Sequence, residues 1–267
     1  MKTEDTLYHV QLKPGDVGRY ILLPGDPGRC ERIAAYFDDA HFVASNREYS
    51  TWTGSLSGEV VSVTSTGIGC PSTAIAVEEL MMLGADTFIR VGTAGGIQPE
   101  NRSGDVAVIT AAIRDEGTTL HYLPVEFPAV ADVDVVLALR EAARRLGYTC
   151  HVGVAHSKDS FYGEVEPARM PLAPRLLERW EAWKQGGAVA SEMESAAVFI
   201  LASIHRVRAG AVMLLIGNPA ESMDSQDVEA FNSMVAEDRQ IRTAVEALKT
   251  LILQDRQKDK TARSARG

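Results

Sequence analysis

Short apolar, β-branched runs alternate along this chain with longer stretches whose apolar positions recur at the helical period. The short runs Tyr20 to Leu23, Val60 to Ser65, Thr87 to Val91, Asp105 to Thr110 and Ala209 to Ile216 predict strands. Helices are predicted over Gly28 to Tyr36, Ser72 to Leu83, Val133 to Leu146, Pro174 to Gln185, Met193 to His205, and Asp227 to Leu253. Such alternation implies an α/β fold, a largely parallel sheet covered by helices. With no internal repeat and no Pro/Ser/Gly-rich linker, residues 1–253 read as one domain. Residues 254–267 are charged and lack apolar periodicity, so a disordered tail is expected there.

Composition changes this picture little. Of 267 residues, 45% are hydrophobic and 24% charged, which suits an ordinary globular protein. The net charge of −9 argues against nucleic acid as a partner, because phosphate-backbone binding needs Lys and Arg concentrated on one face. Cys30, Cys70 and Cys150 lie far apart with no CxxC pair, so neither a metal knuckle nor a disulfide framework is suggested. Met1 to Val10 carries Glu4, Asp5 and His9 instead of an apolar run, and no segment has the roughly 18 apolar residues of a membrane span. A cytoplasmic protein, neither exported nor embedded, is expected.

Candidate chemistry sits at strand ends. Glycine-rich turns are predicted at Leu23 to Arg29, Ser65 to Ser72 and Arg90 to Ile97. Glycines there let backbone N–H groups approach an anion, and a following helix N-terminus adds favourable field; tight turns alone would also use them. Arg29 and Arg90 tip the balance towards a small oxyanion, since a guanidinium fork matches phosphate bidentately. There is neither a GxGxxG fingerprint nor a Walker loop. At the start of the Met193 to His205 helix, Ser191 and Glu194 have the spacing of an S-x-x-E capping box. Such a box leaves Glu192 unexplained, and carboxylates beside Met193 could instead hold sugar hydroxyls. His121, His151, His156 and His205 have no metal-ligand spacing and are expected to make local hydrogen bonds, with His156 at the pocket edge.

Taken together, PGDPGR (24–29), NREYSTW (46–52), STGIGCPS (65–72), RVGTAGGIQ (90–98), EFPAVAD (126–132), DSFYG (159–163) and SEMES (191–195) resemble the nucleoside phosphorylase-I family, closest to its bacterial uridine phosphorylases. The resemblance runs from about His9 to Leu253. It implies a three-layer α/β/α sandwich with a mixed, partly barrelled central sheet. It also implies a homo-oligomer of dimer units grouped into a hexamer, with active sites astride the dimer interface. Phosphate would be bound by Gly25, Arg29, Arg90 and Thr93, with Arg47 entering from the neighbouring subunit. Ribose would be held by Glu192, Met193 and Glu194, with His9 also from the neighbour; Arg90, Glu194 and Arg29 would carry catalysis. Phe161, Glu164, Gly95, Ile216 and Asn218 would line the base. A potassium site at Glu48, Ile68 and Ser72 is a further implication. No cofactor is required, inorganic phosphate being the co-substrate.

The expected activity is phosphorolysis, most readily of uridine, to uracil and ribose 1-phosphate. Departures from the uridine pattern cluster at the base. Glu164 stands where glutamine is usual, Glu166 replaces an arginine, Arg169 lies too far along to substitute, and Pro219 replaces a second base-side arginine. A carboxylate can accept the uracil N3–H but cannot donate to a carbonyl. A 6-oxopurine nucleoside phosphorylase or nucleosidase is therefore the alternative, and a non-catalytic nucleoside-binding or storage protein the third reading.

Overall fold

In the strand Tyr20–Leu23 (β1) every residue is buried, and successive side chains enter two different cores. The computed structural model describes residues 6–217 and 238–264. Tyr20 and Leu22 pack with helix α1 (Gly28–Ala34) and with two further helices, α3 (Val133–Arg145) and α7 (Arg239–Ser264). Ile21 and Leu23 join the core of helices α2 (Cys70–Met82) and α6 (Ser195–His205). Because side chains alternate across a strand, one sheet separates two helical layers, giving the expected three-layer sandwich. The alternation repeats farther along the sheet, with Phe88 on the α2/α6 side and Ile89 and Val91 on the other.

The sheet has ten strands. From β1 it extends through β4 (Glu59–Thr64), β3 (Tyr49–Leu56) and β2 (Asp38–Asn46). On the other side, β5 (Thr87–Gly96) pairs with β10 (Arg208–Leu215), which pairs with β6 (Val106–Asp115). The chain of pairings continues from β6 to β8 (Cys150–Lys158), to β9 (Ala190–Glu192), and back to β5. These five strands close a ring, so the sheet is mixed and partly barrelled. The short β7 (Ala129–Val130) lies off β6.

Several boundaries differ from the sequence reading. The strand expected to end at Val91 continues to Gly96, so Gly92, Gly95 and Gly96 lie within β5 and not in a turn. Close packing explains two of them. A Cβ on Gly92 would come within 2.5 Å of Met213 Sδ, and one on Gly96 within 2.8 Å of Asn101 Cβ. The hairpin β2–β3 and the strands β8 and β9 carry too many polar residues for a hydrophobic pattern to reveal.

The C-terminal helix continues past Leu253 to Ser264, which replaces the expected disordered tail over residues 254–264 with helix. Ion pairs supply what apolar periodicity does not. Asp255 accepts from Arg208 Nη1 at 3.0 Å, Arg208 Nη2 at 2.6 Å and the buried Tyr20 hydroxyl at 2.8 Å, while Arg256 Nε donates to Glu59 at 2.9 Å. Burial pushes the Asp255 pKa up, but the Arg208 and Tyr20 bonds outweigh it and hold the carboxyl below its usual range. Removing Asp255 takes away the acceptor of the Tyr20 hydroxyl and the carboxylate partner of Arg208, which keeps its bonds to Thr87 Oγ1. Asp255→Ala is therefore expected to lower stability by about 1–3 kcal/mol, read as a shifted urea midpoint with unchanged slope. An unaltered midpoint would mean that the helix end adds nothing.

Candidate active site

The loop after β1, the strand β5 and the junction of β9 with α6 bring charged groups to the carboxyl ends of the central strands, where ligands bind in α/β sheets. Arg90 projects from β5 and is 4% exposed. Its Nη1 donates to Leu23 O at 3.2 Å, and its Nη2 makes a close ion pair with Glu194. The other Glu194 oxygen accepts from Gly69 N–H at 2.7 Å, beside the start of α2. Gly25 lies against this guanidinium: a Cβ there would stand 3.4 Å from both terminal nitrogens of Arg90. Arg29, in the first turn of α1, donates from Nη1 to Val91 O at 3.2 Å. Burial, and next the positive charge of Arg90, lower its pKa below the ordinary value. Two guanidiniums thus share one neighbourhood: Arg90 is paired with Glu194, whereas Arg29 bonds a backbone carbonyl and makes no ion pair among the described residues, which suits it to a small oxyanion. Thr93 is half-buried three positions beyond Arg90 in the same strand, opposite Leu214 of β10.

Glu192 and Glu194 exchange the roles suggested by the capping-box spacing. Helix α6 starts at Ser195, Ser191 lies in β9, and the Glu194 side chain caps nothing. The box does not form. Instead Glu192 Oε2 accepts the N–H groups of Glu194 at 2.9 Å and Ser195 at 2.8 Å, while the Ser157 hydroxyl donates to Oε1. A carboxylate inside the helix entry thereby satisfies donors that α6 would otherwise leave orphaned. Burial, and then the nearby Glu194, push the Glu192 pKa up. Between the two buried acids, Met193 is the residue left partly exposed, and its carbonyl accepts from Cys70 Sγ at 3.2 Å. Glu194 is thus held between Arg90 and the Gly69 N–H, and Glu192 supports the backbone beneath it.

A second group forms where β5, β9 and β8 run side by side. Gly95 pairs with Ser191, and Ser191 with His156, so the three lie in a row across one face of the sheet. A Cβ on Gly95 would meet nothing within 4 Å, so open space adjoins the row there. Glu164, from the short helix α4 (Phe161–Val165), turns into this row. Its Oε2 accepts from the Ser191 hydroxyl, lies 3.0 Å from Lys158 Nζ and 3.3 Å from His156 Nδ1. Lys158 also donates to Ser191 Oγ at 2.7 Å, and His156 Nε2 bonds Asp115 at 2.9 Å. Burial opposes the Glu164 charge, but His156, Lys158 and Ser191 outweigh it and lower the pKa. Burial likewise lowers the His156 pKa, and bonds to Asp115 and Glu164 reverse this to a net rise.

Phe161 is exposed at the start of α4 and meets Tyr162 edge to face. Ile216 donates its N–H to Ala94 O at 3.0 Å, placing it beside Gly95. Asn218 and Pro219 lie outside the described residues. Glu166 and Arg169 pair with each other at the surface, so Arg169 does not replace the missing arginine. His151 and His205 make local pairs, with Asp105 at 2.8 Å and Glu78 at 3.2 Å.

His9 and Arg47 do not join Arg90 within the chain. His9 Nδ1 pairs with Glu79 Oε1 at 2.6 Å, ten residues along α2 from Gly69 and so about 15 Å away at helical rise. Asn46 Nδ2 donates to His9 O at 2.7 Å, which ties the N-terminal segment to the Arg47 hairpin. Arg47 is exposed at that hairpin's tip and has φ 55°, a left-handed backbone that glycine would adopt more easily. Nearby, Ser72 Oγ donates to Glu48 Oε1 at 2.6 Å, a bond that chiefly lowers the Glu48 pKa. Ile68, 78% exposed, follows Gly67, whose Cβ would crowd Glu48 and Ser72. Hence Glu48, Ile68 and Ser72 do come together.

Sequence reasoning missed Ser157, Lys158 and Asp115 as members of this site. Lys158 directly precedes the DSFYG motif, and that adjacency is the signal that could have flagged it.

The model of the Phosphorylase superfamily matches residues 19–252. A uridine phosphorylase of Treponema pallidum is 52% identical over 252 residues, covering 94% of this chain and 96% of that protein. A uridine phosphorylase of Thermococcus kodakarensis is 44% identical over 265 residues, covering 98% and 93%. A guanosine phosphorylase of Halorubrum lacusprofundi is 43% identical over 210 residues, covering 79% and 83%. The match spans the strands and loops that carry Arg29, Arg90, Lys158 and Glu194, and by it this chain belongs to the Phosphorylase superfamily.

Proposed function

We propose that this protein is a pentosyltransferase that cleaves uridine with inorganic phosphate to uracil and ribose 1-phosphate. The observation that carries the reading is the buried Arg90–Glu194 pair beside Gly25 and Arg29. One side of the pair suits phosphate and the other suits ribose hydroxyls, so the two reactants would meet across it. The relatives named uridine phosphorylase, which cover most of this chain, favour uridine as the nucleoside.

In this mechanism Arg29, Arg90, Gly25 and Thr93 hold phosphate, while Met193 and Glu194 hold the ribose over Glu192. As the glycosidic bond breaks, its electron pair leaves with the base and a phosphate oxygen bonds C1′. Holding both reactants in place contributes roughly 7–11 kcal/mol of barrier reduction. No covalent enzyme intermediate is required. Phe161, Gly95, Ile216 and Asn218 complete the base end.

Guanosine is the second reading, favoured by the guanosine phosphorylase relative. Base release from uridine, guanosine, inosine, cytidine and adenosine, each with and without phosphate, tests the proposal. Phosphate-dependent release from uridine above all others is expected. Release without phosphate would make the protein a nucleosidase, and turnover of guanosine with none of uridine would move it to the second reading.

We further propose a dimer that completes its sites mutually, with His9 and Arg47 of each copy entering the other's site, and dimers grouped into a hexamer. Glu48, Ser72 and the Ile68 carbonyl are hard oxygen donors suited to potassium, and a two-fold copy would supply the matching set. A cytoplasmic setting accords with three free cysteines.

A further inference from the structure

The charged group beside Gly95 supplies the hydrogen-bond donor that the base end lacks when only Glu164 is considered. Lys158 is 6% exposed, and a buried ammonium needs partners. Among the described residues it has two, Ser191 Oγ at 2.7 Å and Glu164 Oε2 at 3.0 Å, which leaves one of its three N–H groups unassigned there. Glu164 receives Ser191, Lys158 and His156 all on Oε2, and Oε1 accepts from none of the described residues. An acceptor and a cationic donor are thus held together next to the open space over Gly95.

We propose that Glu164 and Lys158 together read the lactam edge of the base, a ring N–H beside a carbonyl, with Glu164 accepting the N–H and Lys158 donating to the oxygen. The inference rests on the nucleoside phosphorolysis proposed above and specifies its base. Uracil presents this edge as N3–H with O4, and guanine and hypoxanthine present it as N1–H with O6. Cytosine and adenine present the reverse, an amino donor beside a ring nitrogen acceptor. Against that edge Lys158 would face a donor and Glu164 an acceptor, leaving both buried groups unpaired. The names of the relatives, one uridine and one guanosine phosphorylase, fall on the same side of this division.

Lys158 also acts on the reaction. When the C1′–N1 bond of uridine breaks, the electron pair passes into the ring and spreads over N1, O2 and O4. An oxygen of hydrogenphosphate closes on C1′, and the proton that the phosphate carried passes through water to N1, giving neutral uracil and ribose 1-phosphate. An ammonium donor on a carbonyl of the departing base stabilises charge where it develops. The fixed Ser191 and Glu164 contacts hold Nζ in place, so little reorganisation is needed.

Lys158→Met keeps the chain length and removes the donor. It is expected to lower kcat/KM for uridine by about 10²–10³-fold, with the KM for phosphate unchanged. The loss should shrink with 5-fluorouridine, whose more acidic base needs less help in leaving, an effect that a misfolded pocket would not produce. Lys158→Gln, which keeps an N–H donor without charge, should retain discrimination against cytidine and guards against failure of the Met variant to fold. Calorimetry of free uracil and cytosine adds a readout independent of turnover: the wild type should bind uracil, and Lys158→Met should lose that preference. Equal losses on uridine and 5-fluorouridine would overturn the proposal, as would wild-type cleavage of cytidine or adenosine comparable to uridine. Turnover of guanosine or inosine in place of uridine would refute the uridine reading and uphold the lactam assignment. Uracil-selective binding without any phosphorolysis would refute the activity alone.

Discussion

Arg90→Ala is expected to lower kcat/KM for phosphorolysis by about 10³-fold or more, the range seen when a charge-assisted clamp on a reacting oxyanion is removed. The loss combines two contacts. Arg90 is the cation nearest Gly25, and it also fixes Glu194 through a buried ion pair. Alanine would therefore leave the Glu194 carboxylate buried with only the Gly69 N–H, and breaking one side of such a pair destabilises by about 3–5 kcal/mol. Activity and stability should fall together. The double variant Arg90→Met with Glu194→Gln separates them: removing both charges should recover most of the stability and none of the turnover. Arg29→Ala, whose guanidinium pairs with a backbone carbonyl, should raise the KM for phosphate with a smaller loss of stability. Phosphate saturation kinetics and urea unfolding on the same preparations provide the check. If Arg90→Ala kept the wild-type KM for phosphate and its kcat, the oxyanion site would lie elsewhere.

The parts of the fold legible in the sequence are those where burial alone decides. Tyr20 to Leu23 is apolar throughout because both of its faces are covered, and its observed limits coincide with the pattern. In β8, Cys150, His151, Ser157 and Lys158 interrupt any alternation, because one end of the strand carries site groups instead of core. The C-terminal helix shows the converse. Its last turns lack an apolar stripe but are tied down by Asp255 and Arg256, and ion pairs between residues distant in sequence leave no local period to read.

The site divides in the same way. Arg29, Arg90 and the glycines around them stand out because binding a small oxyanion, the role proposed for them, draws on few residue types. Glu192 and Glu194 were visible as a pair, yet spacing assigned the helix entry to Glu194. Only the backbone path, with Ser191 in β9 and α6 beginning at Ser195, shows that Glu192 takes the amide hydrogens and leaves Glu194 to face Arg90. Glu164 read as an anomaly for the same reason. Taken singly, it is an acceptor where a donor is wanted; with Lys158 at 3.0 Å, the pair offers both. The meeting of α4 with the end of β8 creates this group, and it has no signature in linear spacing.

Mixing two inactive variants is expected to restore activity. Arg47 and His9 are held together by Asn46, yet neither touches Arg90 or Glu194, and α2 separates His9 from Gly69 by about 15 Å at helical rise. Arg47 nevertheless occupies a left-handed position at an exposed hairpin tip, where a non-glycine residue costs about 1–3 kcal/mol. The role proposed for its side chain is at the phosphate site of a two-fold partner. In an isologous dimer, Arg47 of one copy then serves Glu194 of the other, so Arg47→Ala and Glu194→Ala homodimers each contain only damaged sites. A heterodimer has one site with both residues intact and one with both changed. Random reassembly from equal amounts, after denaturation and refolding together, should return about one site in four to function. The kcat per intact site should equal that of the wild type, and the recovered activity should vanish when the subunits are mixed without dissociation. Recovery absent under conditions that refold the wild type fully, or full wild-type activity in a monomer at working dilution, would show that each chain completes its own site.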